Sequence, residues 1–395
     1  MNNEKNVPKI RFPGFTEPWE QRKLGEIYGS IGNAFVGTAT PYYAEHGHFY
    51  LESNNVKDGQ INHNAEIFIN DEFYEKQKDK WLHTGDMVMV QSGHVGHAAV
   101  IPEELDNTAA HALIMFRNPK EEIEPYFLNY EYQTDKAKKQ IENITTGNTI
   151  KHILASDMQE FVVDIPKYEE QKVIASYFCK LDHLITLHQR KLEHVKDLKK
   201  SMLQKMFPKN GQEYPELRFP GFAEPWEQRK VSELCSISTG KSNTQDKVED
   251  GEYPFYVRSP IIERSTKYLY DEEAVITVGY GVGTGKVFHY VNGKYDLHQR
   301  CYRMYDFTDE LNAHYFYHTF SKLFYKRVMA MTAKTSVDSV RLEMIADMEI
   351  PAPKIEEQVK IGTYFDNLDT LISLHQRELE HFKLLKKGML QQMFV

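Results

Sequence analysis

Loop-like segments rich in hydrogen-bonding side chains are the residues of this chain best suited to chemistry. Arg can form paired hydrogen bonds with guanine and Gln with adenine, while Lys, hydroxyl groups and backbone amides hold phosphates. In the first half of the chain these segments are Gly37–Thr40, Glu52–Asn55, Gln91–His97 and Thr145–Lys151. In the second half they are Thr239–Ser242, Tyr256–Ser259, Gly279–Lys286, His298–Arg300 and Ala333–Ser336.

Within these segments we predict nucleic-acid contacts from side-chain type alone. For any one residue, an ordinary solvated loop is an equally good interpretation, and the segments are favoured as groups. The predicted contacts in the first half are Thr38, Asn54, Asn55, Gln91, Ser92, His94, Thr146, Asn148 and Lys151. Those in the second half are Lys241, Ser242, Arg258, Ser259, Tyr280, Thr284, Lys286, Gln299, Arg300, Lys334 and Thr335.

The glycine-rich segment Gly279–Lys286 imitates nucleotide-binding motifs but matches neither of two common ones. A P-loop needs glycine where Tyr280 stands and Ser or Thr where Val287 stands. The dinucleotide fingerprint fails because Thr284 takes the place of its third glycine. We interpret the glycines as allowing close backbone approach, either to DNA or at a tight turn.

No catalytic constellation is found in the sequence. Methylation of an amino base calls for an Asn-Pro-Pro-aromatic loop, and the nearest string, Asn118-Pro119-Lys120, lacks it. His94, His97 and His111 are close in sequence, but no carboxylate or Cys partner stands at ligand spacing, so no metal site is predicted. We therefore expect a non-catalytic chain without a cofactor of its own.

Composition sets limits on the class of protein. The net charge is −9, and residues 28–164 hold 10 Lys and Arg against 21 Asp and Glu, whereas residues 235–352 hold 14 against 16. This lowers the expectation of DNA binding without excluding it, because binding needs only a local basic surface. No apolar run is long enough to span a bilayer, so we expect a cytoplasmic protein. Cys179, Cys235 and Cys301 are isolated, which disfavours disulfides and zinc.

A repeated stretch organises the chain. Residues 184–207, LITLHQRKLEHVKDLKKSMLQKMF, return as residues 371–394, LISLHQRELEHFKLLKKGMLQQMF, with 18 of 24 positions identical. Apolar residues and one histidine recur at alternating steps of four and three, which predicts coiled-coil helices. The predicted seam consists of Ile174, Phe178, Leu181, Ile185, His188, Leu192 and Val195, and of Ile361, Phe365, Leu368, Ile372, His375, Leu379 and Phe382.

A second repeat locates the domains. The block RFPGFTEPWEQRKLGEI at residues 11–27 returns as RFPGFAEPWEQRKVSEL at residues 218–234. Each half therefore contains a similar arm, a divergent domain and a similar helix. The predicted boundaries are an arm at 1–27, a first domain at 28–164, a helix at 165–207, a linker and second arm at 208–234, a second domain at 235–352, and a second helix at 353–395.

Short apolar runs such as Met87–Val90 and Ala274–Val278 predict strands, and residues 124–143 and 309–331 predict helices. We therefore predict an α+β fold with two mixed domains separated by two long helices. The linker between the halves is short, so the helices are expected to pair antiparallel within the chain, as an internal duplication with pseudo-twofold symmetry. This pairing would hold the two domains at a fixed spacing.

The order of these motifs resembles that of the specificity subunit of type I restriction-modification enzymes. The resemblance covers the whole chain: RFPGF-x-EPWEQRK opens each half, then come a divergent domain, a proline-bounded segment and the LI-x-LHQR-x-LEH helix. It implies two target recognition domains, each reading one half of a bipartite double-stranded DNA target, and a coiled coil that sets the gap and docks the methyltransferase (modification) subunits. The implied partners are two methyltransferase and two restriction (nuclease/translocase) subunits, which would carry S-adenosylmethionine, ATP and Mg²⁺.

Several alternatives stay open. The chain could be a duplicated assembly scaffold without sequence-specific DNA binding, or an unrelated single-chain DNA enzyme, against which the missing motifs count. His188 and His375 would meet at the centre of an antiparallel pair, or their rings would point outward. The aromatic arm residues are expected to pack on their own domains. The exposed apolar helix face predicted to hold methyltransferase subunits contains Tyr177, Leu184, Leu187 and Met202.

Overall fold

The computed structural model describes residues 6–147, 151–209, 212–281, 283–331 and 339–395. It divides into two compact units, the first made of residues 1–188 and 378–395 and the second of residues 189–377. Both boundaries fall inside the long helices, so each unit contains an arm, a divergent domain and a part of each long helix.

The first divergent domain and its flanks are built from short strands and helices. The strands are β1 Glu20–Lys23, β2 Tyr28–Asn33, β3 Tyr43–Ala44, β4 His48–Leu51, β5 Val56–Lys57, β6 Gln60–Ile61, β7 Phe68–Ile69, β8 Met87–Val90, β9 Ala98–Val100, β10 Ala109–Ala110, β11 Leu113–Pro119 and β12 Val162–Ile165. The helices are α1 Leu24–Ile27, α2 Asp71–Glu75, α3 Pro125–Glu131, α4 Asp135–Ile144, α5 Ala155–Gln159 and the long α6 Tyr168–Lys205.

The second half repeats this plan with longer strands. Its strands are β13 Glu227–Lys230, β14 Ser236–Thr239, β15 Tyr253–Tyr256, β16 Ile262–Ser265, β17 Tyr270–Val278, β18 Phe288–Leu297, β19 Cys301–Tyr305 and β20 Glu349–Ala352. Its helices are α7 Val231–Leu234, α8 Ala313–Ala330, α9 Leu342–Ala346 and the long α10 Ile355–Gln392.

Each divergent domain contains its own four-stranded antiparallel arrangement of the same topology, despite their different sequences. In the first unit the antiparallel order is β2-β11-β8-β9, and in the second β14-β19-β17-β18 corresponds to it strand for strand. In the second unit β15 and β16 extend the sheet, with β15 parallel to β18. In the first unit a separate sheet of order β10-β4-β7-β3 takes their place.

Each arm is fastened to its own unit by the same two devices. The arm strand pairs antiparallel with the strand before the long helix, β1 with β12 and β13 with β20. In addition, Arg11 binds the buried Glu170 carboxylate through two nitrogens at 2.6 and 2.7 Å, and Arg218 binds Glu357 at 2.7 and 2.8 Å. Such paired, charge-assisted bonds fix the arm at the acidic first turn of the helix.

Within each unit α6 and α10 run antiparallel. In the first unit Asp182 binds Lys386 at 2.6 Å and the ring of Phe178 lies 5.9 Å from that of Phe394. The residue numbers of the contacts on and just after α10 therefore increase as those on α6 decrease, which is the antiparallel arrangement. In the second unit Lys199 binds Asp369 at 2.5 Å, and Phe207, just after α6, lies 5.9 Å from Phe365.

The long helices contribute to both domain cores. Trp19 and Trp226 are each 2% exposed and pack on their own units, Trp19 against Phe127 and Trp226 against Tyr315. The seam residues that are buried are Ile174, Phe178, Leu181, Leu192, Val195, Ile361, Phe365 and Leu368. Those that are half-buried are Ile185, His188, Ile372, His375, Leu379 and Phe382.

The predicted exposed apolar face needs correction. Tyr177 packs edge-to-face on Phe12 of the arm at 5.8 Å, and Met202 packs on the core of the second unit. Leu184 is half-buried, while Leu187 is exposed, and so is its counterpart Leu374. The arm covers part of the face because its aromatic residues lie against the start of the helix.

Candidate nucleic-acid interface

The predicted binding segments of the first unit lie together. The Gly93 amide donates to the Lys151 carbonyl at 3.0 Å, and the Ile153 amide donates to the Gln91 carbonyl at 2.9 Å. His94 Nε2 lies 3.0 Å from the Ser53 carbonyl oxygen. The loop that follows β8 is thus joined both to the segment after α4 and to residues 52–55.

His111 attaches the remaining segment of the first unit. Its Nε2 lies 2.9 Å from the Gly37 carbonyl oxygen, and its Nδ1 lies 3.3 Å from Glu52 Oε1, to which the Tyr43 hydroxyl also donates. The hydrogen bond with His111 lowers the pKa of Glu52, and the same bond raises the pKa of His111. The pair therefore favours its ionised form and ties residues 37 and 52 together.

We call these residues (37–40, 52–55, 91–97 and 151–153) the first loop surface. Seven predicted contacts on or beside it keep solvent access. Those exposed are Thr38, Asn54, His94, Thr146 and Lys151, and those half-buried are Gln91 and Ser92.

The structure contradicts the prediction that Asn55 contacts DNA, because the residue is 2% exposed and its side chain forms hydrogen bonds within the protein. Its amide nitrogen donates to the Asn62 and Asn64 carbonyls, and its oxygen accepts from the Glu52 amide. Asn55 therefore shapes the loop, and the neighbouring Asn54 is the exposed member of the pair. The predicted contact Asn148 lies outside the described residues.

The predicted segments of the second unit also converge. The Lys241 amide donates to the Leu297 carbonyl at 3.1 Å, and the Gln299 amide donates to the Ser242 carbonyl at 2.8 Å. The Gly279 amide donates to the Arg300 carbonyl at 2.8 Å, which brings the glycine-rich loop after β17 beside residues 298–300.

Residues 256–259 join through the 3.0 Å bond from the His298 amide to the Tyr256 carbonyl. We call residues 239–242, 256–259, 279–281, 283–286 and 298–300 the second loop surface. Its glycine-rich loop follows β17, the counterpart of β8. The fifth predicted segment, with Lys334 and Thr335, lies outside the described residues.

Cations and an aromatic ring dominate the second loop surface. The Arg300 guanidinium lies 4.3 Å from the centre of the exposed Tyr280 ring, and Lys286 Nζ lies 5.0 Å from that of Tyr325 on α8. The exposed predicted contacts are Lys241, Arg258, Tyr280, Lys286, Gln299 and Arg300, and Ser259 is half-buried.

The structure contradicts two of the DNA contacts predicted in the second unit, because both residues are buried. Ser242 is 2% exposed, and its hydroxyl donates to the buried Asp296 carboxylate at 2.6 Å. Thr284 is also 2% exposed, and its hydroxyl donates to the Gly281 carbonyl at 2.5 Å. Both hydroxyls stabilise the loops from beneath and do not reach a ligand.

Supporting roles of His111, His298 and Tyr325 were missed by sequence reasoning. His298 is buried, and its Nδ1 accepts the Arg300 amide at 3.0 Å. Burial lowers the pKa of His298, and the nearby charges of Arg258 and Arg300 lower it further, so the imidazole stays neutral. No local signal marks these residues, because their partners are distant in sequence; His111 and Gly37 are 74 residues apart.

The described part of the chain offers no metal site at the first loop surface. His94 binds the Ser53 carbonyl, His97 accepts the Asp58 amide, and His111 binds Gly37 and Glu52. Each imidazole is engaged with the protein. Over the same described residues, none of the helices has the length and apolar content that a membrane crossing would need.

Comparison with known proteins identifies relatives over the whole chain. The family profile described as "Type I restriction modification DNA specificity domain" matches residues 16–197 and 223–383. The MjaVIII type I restriction enzyme specificity subunit of Methanocaldococcus jannaschii is 20% identical over 98% of this chain and 93% of its own. The putative MjaX type I restriction enzyme specificity subunit of the same organism is 23% identical over 97% and 94%.

A solved structure shares the fold. The S subunit of a type I restriction-modification system from M. genitalium superposes with a TM-score of 0.73 at 14% identity, covering 98% of this chain and 99% of that one.

Proposed function

Because the chain belongs to the family of type I restriction-modification DNA specificity domains, we propose that it reads a bipartite DNA target. Residues 28–164 would read one half-site and residues 235–352 the other. The observation that carries this proposal is the pair of loop surfaces. In each unit, polar loops of unrelated sequence gather after equivalent strands, β8 and β17, on a repeated framework.

The electrostatics of the two surfaces favour this assignment. DNA binding needs local cations and hydrogen-bonding groups, and it tolerates acidic residues elsewhere. The second loop surface presents Lys241, Arg258, Lys286 and Arg300 to solvent. The first presents mainly uncharged polar groups with Lys151, so we expect it to contribute less to the affinity and more to discrimination.

The long helices would set the gap between half-sites and dock the other subunits. Leu187 and Leu374 occupy equivalent positions in the two copies and are 36% and 40% exposed. A leucine kept exposed in both copies fits two identical partners, and we propose that these are two modification subunits with methyltransferase activity. Two restriction subunits, implied by the family resemblance alone, would complete the complex. In this scheme S-adenosylmethionine, ATP and Mg²⁺ bind to those subunits, and this chain supplies no catalytic group.

Co-expression with the cognate modification subunit, followed by genome-wide mapping of methylated bases, tests the proposal. The expected result is a split motif with two specific halves and a fixed unspecific gap. Methylation without any motif would contradict it and would favour the alternative of an assembly scaffold without sequence-specific DNA binding.

A further inference from the structure

Arginine is distributed unequally between the two divergent domains. Residues 28–164 contain one arginine, Arg117, whose Nη1 donates to the carbonyls of Asp79 and Trp81 at 3.0 and 3.4 Å. Residues 235–352 contain Arg258, Arg264, Arg300, Arg303, Arg327 and Arg341. Guanine recognition through an arginine is therefore available to the second domain, while the first domain's arginine is occupied within the protein.

Four of the six arginines in the second domain are engaged with the protein. Arg264 binds the Gly251 and Glu252 carbonyls and Arg327 those of Met344 and Asp347. Arg303 binds the Glu272 carboxylate and Arg341 lies 3.4 Å from that of Glu343. By contrast, among the described residues no carboxylate or carbonyl binds the guanidinium groups of Arg258 and Arg300. Both side chains are exposed.

The glycine-rich loop packs closely against the backbone of both arginine segments. A Cβ on Gly281, whose φ is +105°, would lie 3.9 Å from Arg258 Nη1. A Cβ on Gly283 would lie 3.1 Å from the Arg258 carbonyl oxygen, and one on Gly279 would lie 2.9 Å from that of Arg300. Gly279 and Gly283 thus leave room for the two arginine segments to lie against the loop, and Gly281 allows the positive φ.

Neighbouring groups hold Arg300 in place. The exposed ring of Tyr280 stacks under its guanidinium at 4.3 Å. The neutral imidazole of His298 accepts its backbone amide at 3.0 Å, and the flanking Gln299 side chain binds Asn243. A stacked, planar guanidinium loses less freedom when it forms two parallel hydrogen bonds, which favours readout of a planar edge over a point contact.

We propose that Arg258 and Arg300 are specificity-determining residues, and that the half-site read by residues 235–352 contains guanine contacted by at least one of them. The fork of an arginine matches O6 and N7 of guanine in the major groove. The other half-site is then read without arginine, through groups such as Asn54, Gln91 and Lys151. This inference rests on the proposed function and deepens it.

The test uses the full chain co-expressed with its modification subunit, comparing the methylated motif of the wild type with those of Arg258→Ala, Arg300→Ala and Arg300→Lys. Arg229→Ala is the matched control, because Arg229 is an arginine of the second arm that pairs with Glu233 and Glu310, away from the loops. Thermal unfolding of each purified complex verifies that the variants fold.

We expect a guanine position in one half-site to relax in Arg258→Ala or Arg300→Ala, with discrimination falling roughly ten- to hundredfold. The other half-site and the gap stay unchanged, and Arg229→Ala keeps the whole motif. Asn54→Ala should relax only the opposite half-site.

Three outcomes would overturn the inference. The first is that the half-site read by residues 235–352 contains no guanine on either strand. The second is that both alanine variants keep every guanine of the motif. The third is that these variants weaken methylation equally on all sequences, as loss of a phosphate contact would. A wild-type complex that methylates with no bipartite motif would overturn the proposed function itself. The wild-type motif alone therefore distinguishes failure of the proposed function from failure of the inference about the arginines.

Discussion

At the scale of single residues, Glu131 is an unusual buried group. Its carboxyl lies in the core of the first unit, where Oε1 accepts the Asp164 amide at 2.8 Å. Lys136 binds the neighbouring Asp164 carboxylate. Burial raises the pKa of Glu131 to about 8, and the charge of Asp164 raises it as well, against the opposing effects of the amide bond and Lys136. Glu131 is therefore largely protonated at neutral pH.

Stability should depend on pH through this residue. The folded state binds the proton more tightly than the unfolded chain, so the contribution is complete below pH 4.5, declines as pH rises, and is lost above about pH 8. The slope is about 1.4 kcal/mol per pH unit for one proton. Glu131→Gln should remove that part of the slope when the free energy of unfolding is measured by denaturant titration between pH 5 and 8. Equal slopes in the variant and the wild type would refute this assignment.

Residue types at the loop surfaces could be predicted from the sequence, but their burial could not. Asn55, Ser242 and Thr284 have the same composition signal as the exposed contacts. Ser242 is buried because its partner Asp296 lies 54 residues away in sequence. Pattern reasoning finds the polar loops, and only the fold separates the residues that face solvent from those that support them.

At the scale of elements, strand and helix prediction succeeded where the pattern is local. The apolar run at 87–90 is β8, and the predicted helix at 309–331 is α8, Ala313–Ala330. The helix predicted at 124–143 is instead two helices, α3 and α4, because Thr134 caps the second through its hydroxyl. Residues 157–166 contain the end of α5 and then β12, which stops at the residue before Pro166.

The aromatic residue after each long helix is expected to stabilise the unit in which it lies. Phe394 packs on Trp19, Phe127 and Phe178, and Phe207 packs on Trp226, Tyr315 and Phe365. Truncating a buried phenylalanine costs about 3–5 kcal/mol.

Phe394→Ala should therefore raise hydrogen–deuterium exchange in the first unit, and Phe207→Ala in the second, when exchange is followed by mass spectrometry. Unchanged exchange in the mutated unit would show that these rings do not carry the packing.

The exposed helix leucines should matter for subunit docking. The double variant Leu187→Asp with Leu374→Asp is expected to weaken binding of the modification subunit by more than tenfold, because a charge at the centre of an apolar contact is desolvated without a partner. Isothermal calorimetry of the purified chains measures this.

Leu384→Asp is the matched control for the docking variant. Leu384 is 59% exposed, and its counterpart in the first helix is already an aspartate, Asp197. The Leu384→Asp variant should bind the modification subunit with the same affinity as the wild type. Equal weakening in both variants would mean that added negative charge, rather than the leucine contact, controls docking.

At the scale of the whole molecule, the proposed role of the long helices predicts a change in target spacing. Inserting seven residues into each helix, near residues 190 and 377, preserves the 4-3 seam and adds about 10 Å, or roughly three base pairs. The methylated motif should keep both halves and gain a longer gap. An unchanged gap in a folded, active complex would show that the helices do not set it.

If each divergent domain reads its own half-site, exchange of residues 28–164 for the matching domain of another family member should alter one half of the target only. The measurement is the methylated motif of the hybrid chain with its modification subunit. We predict that one half of the motif changes while the other half stays as in the parent. A motif that changes in both halves, or in neither, would show that the two domains do not read separate half-sites.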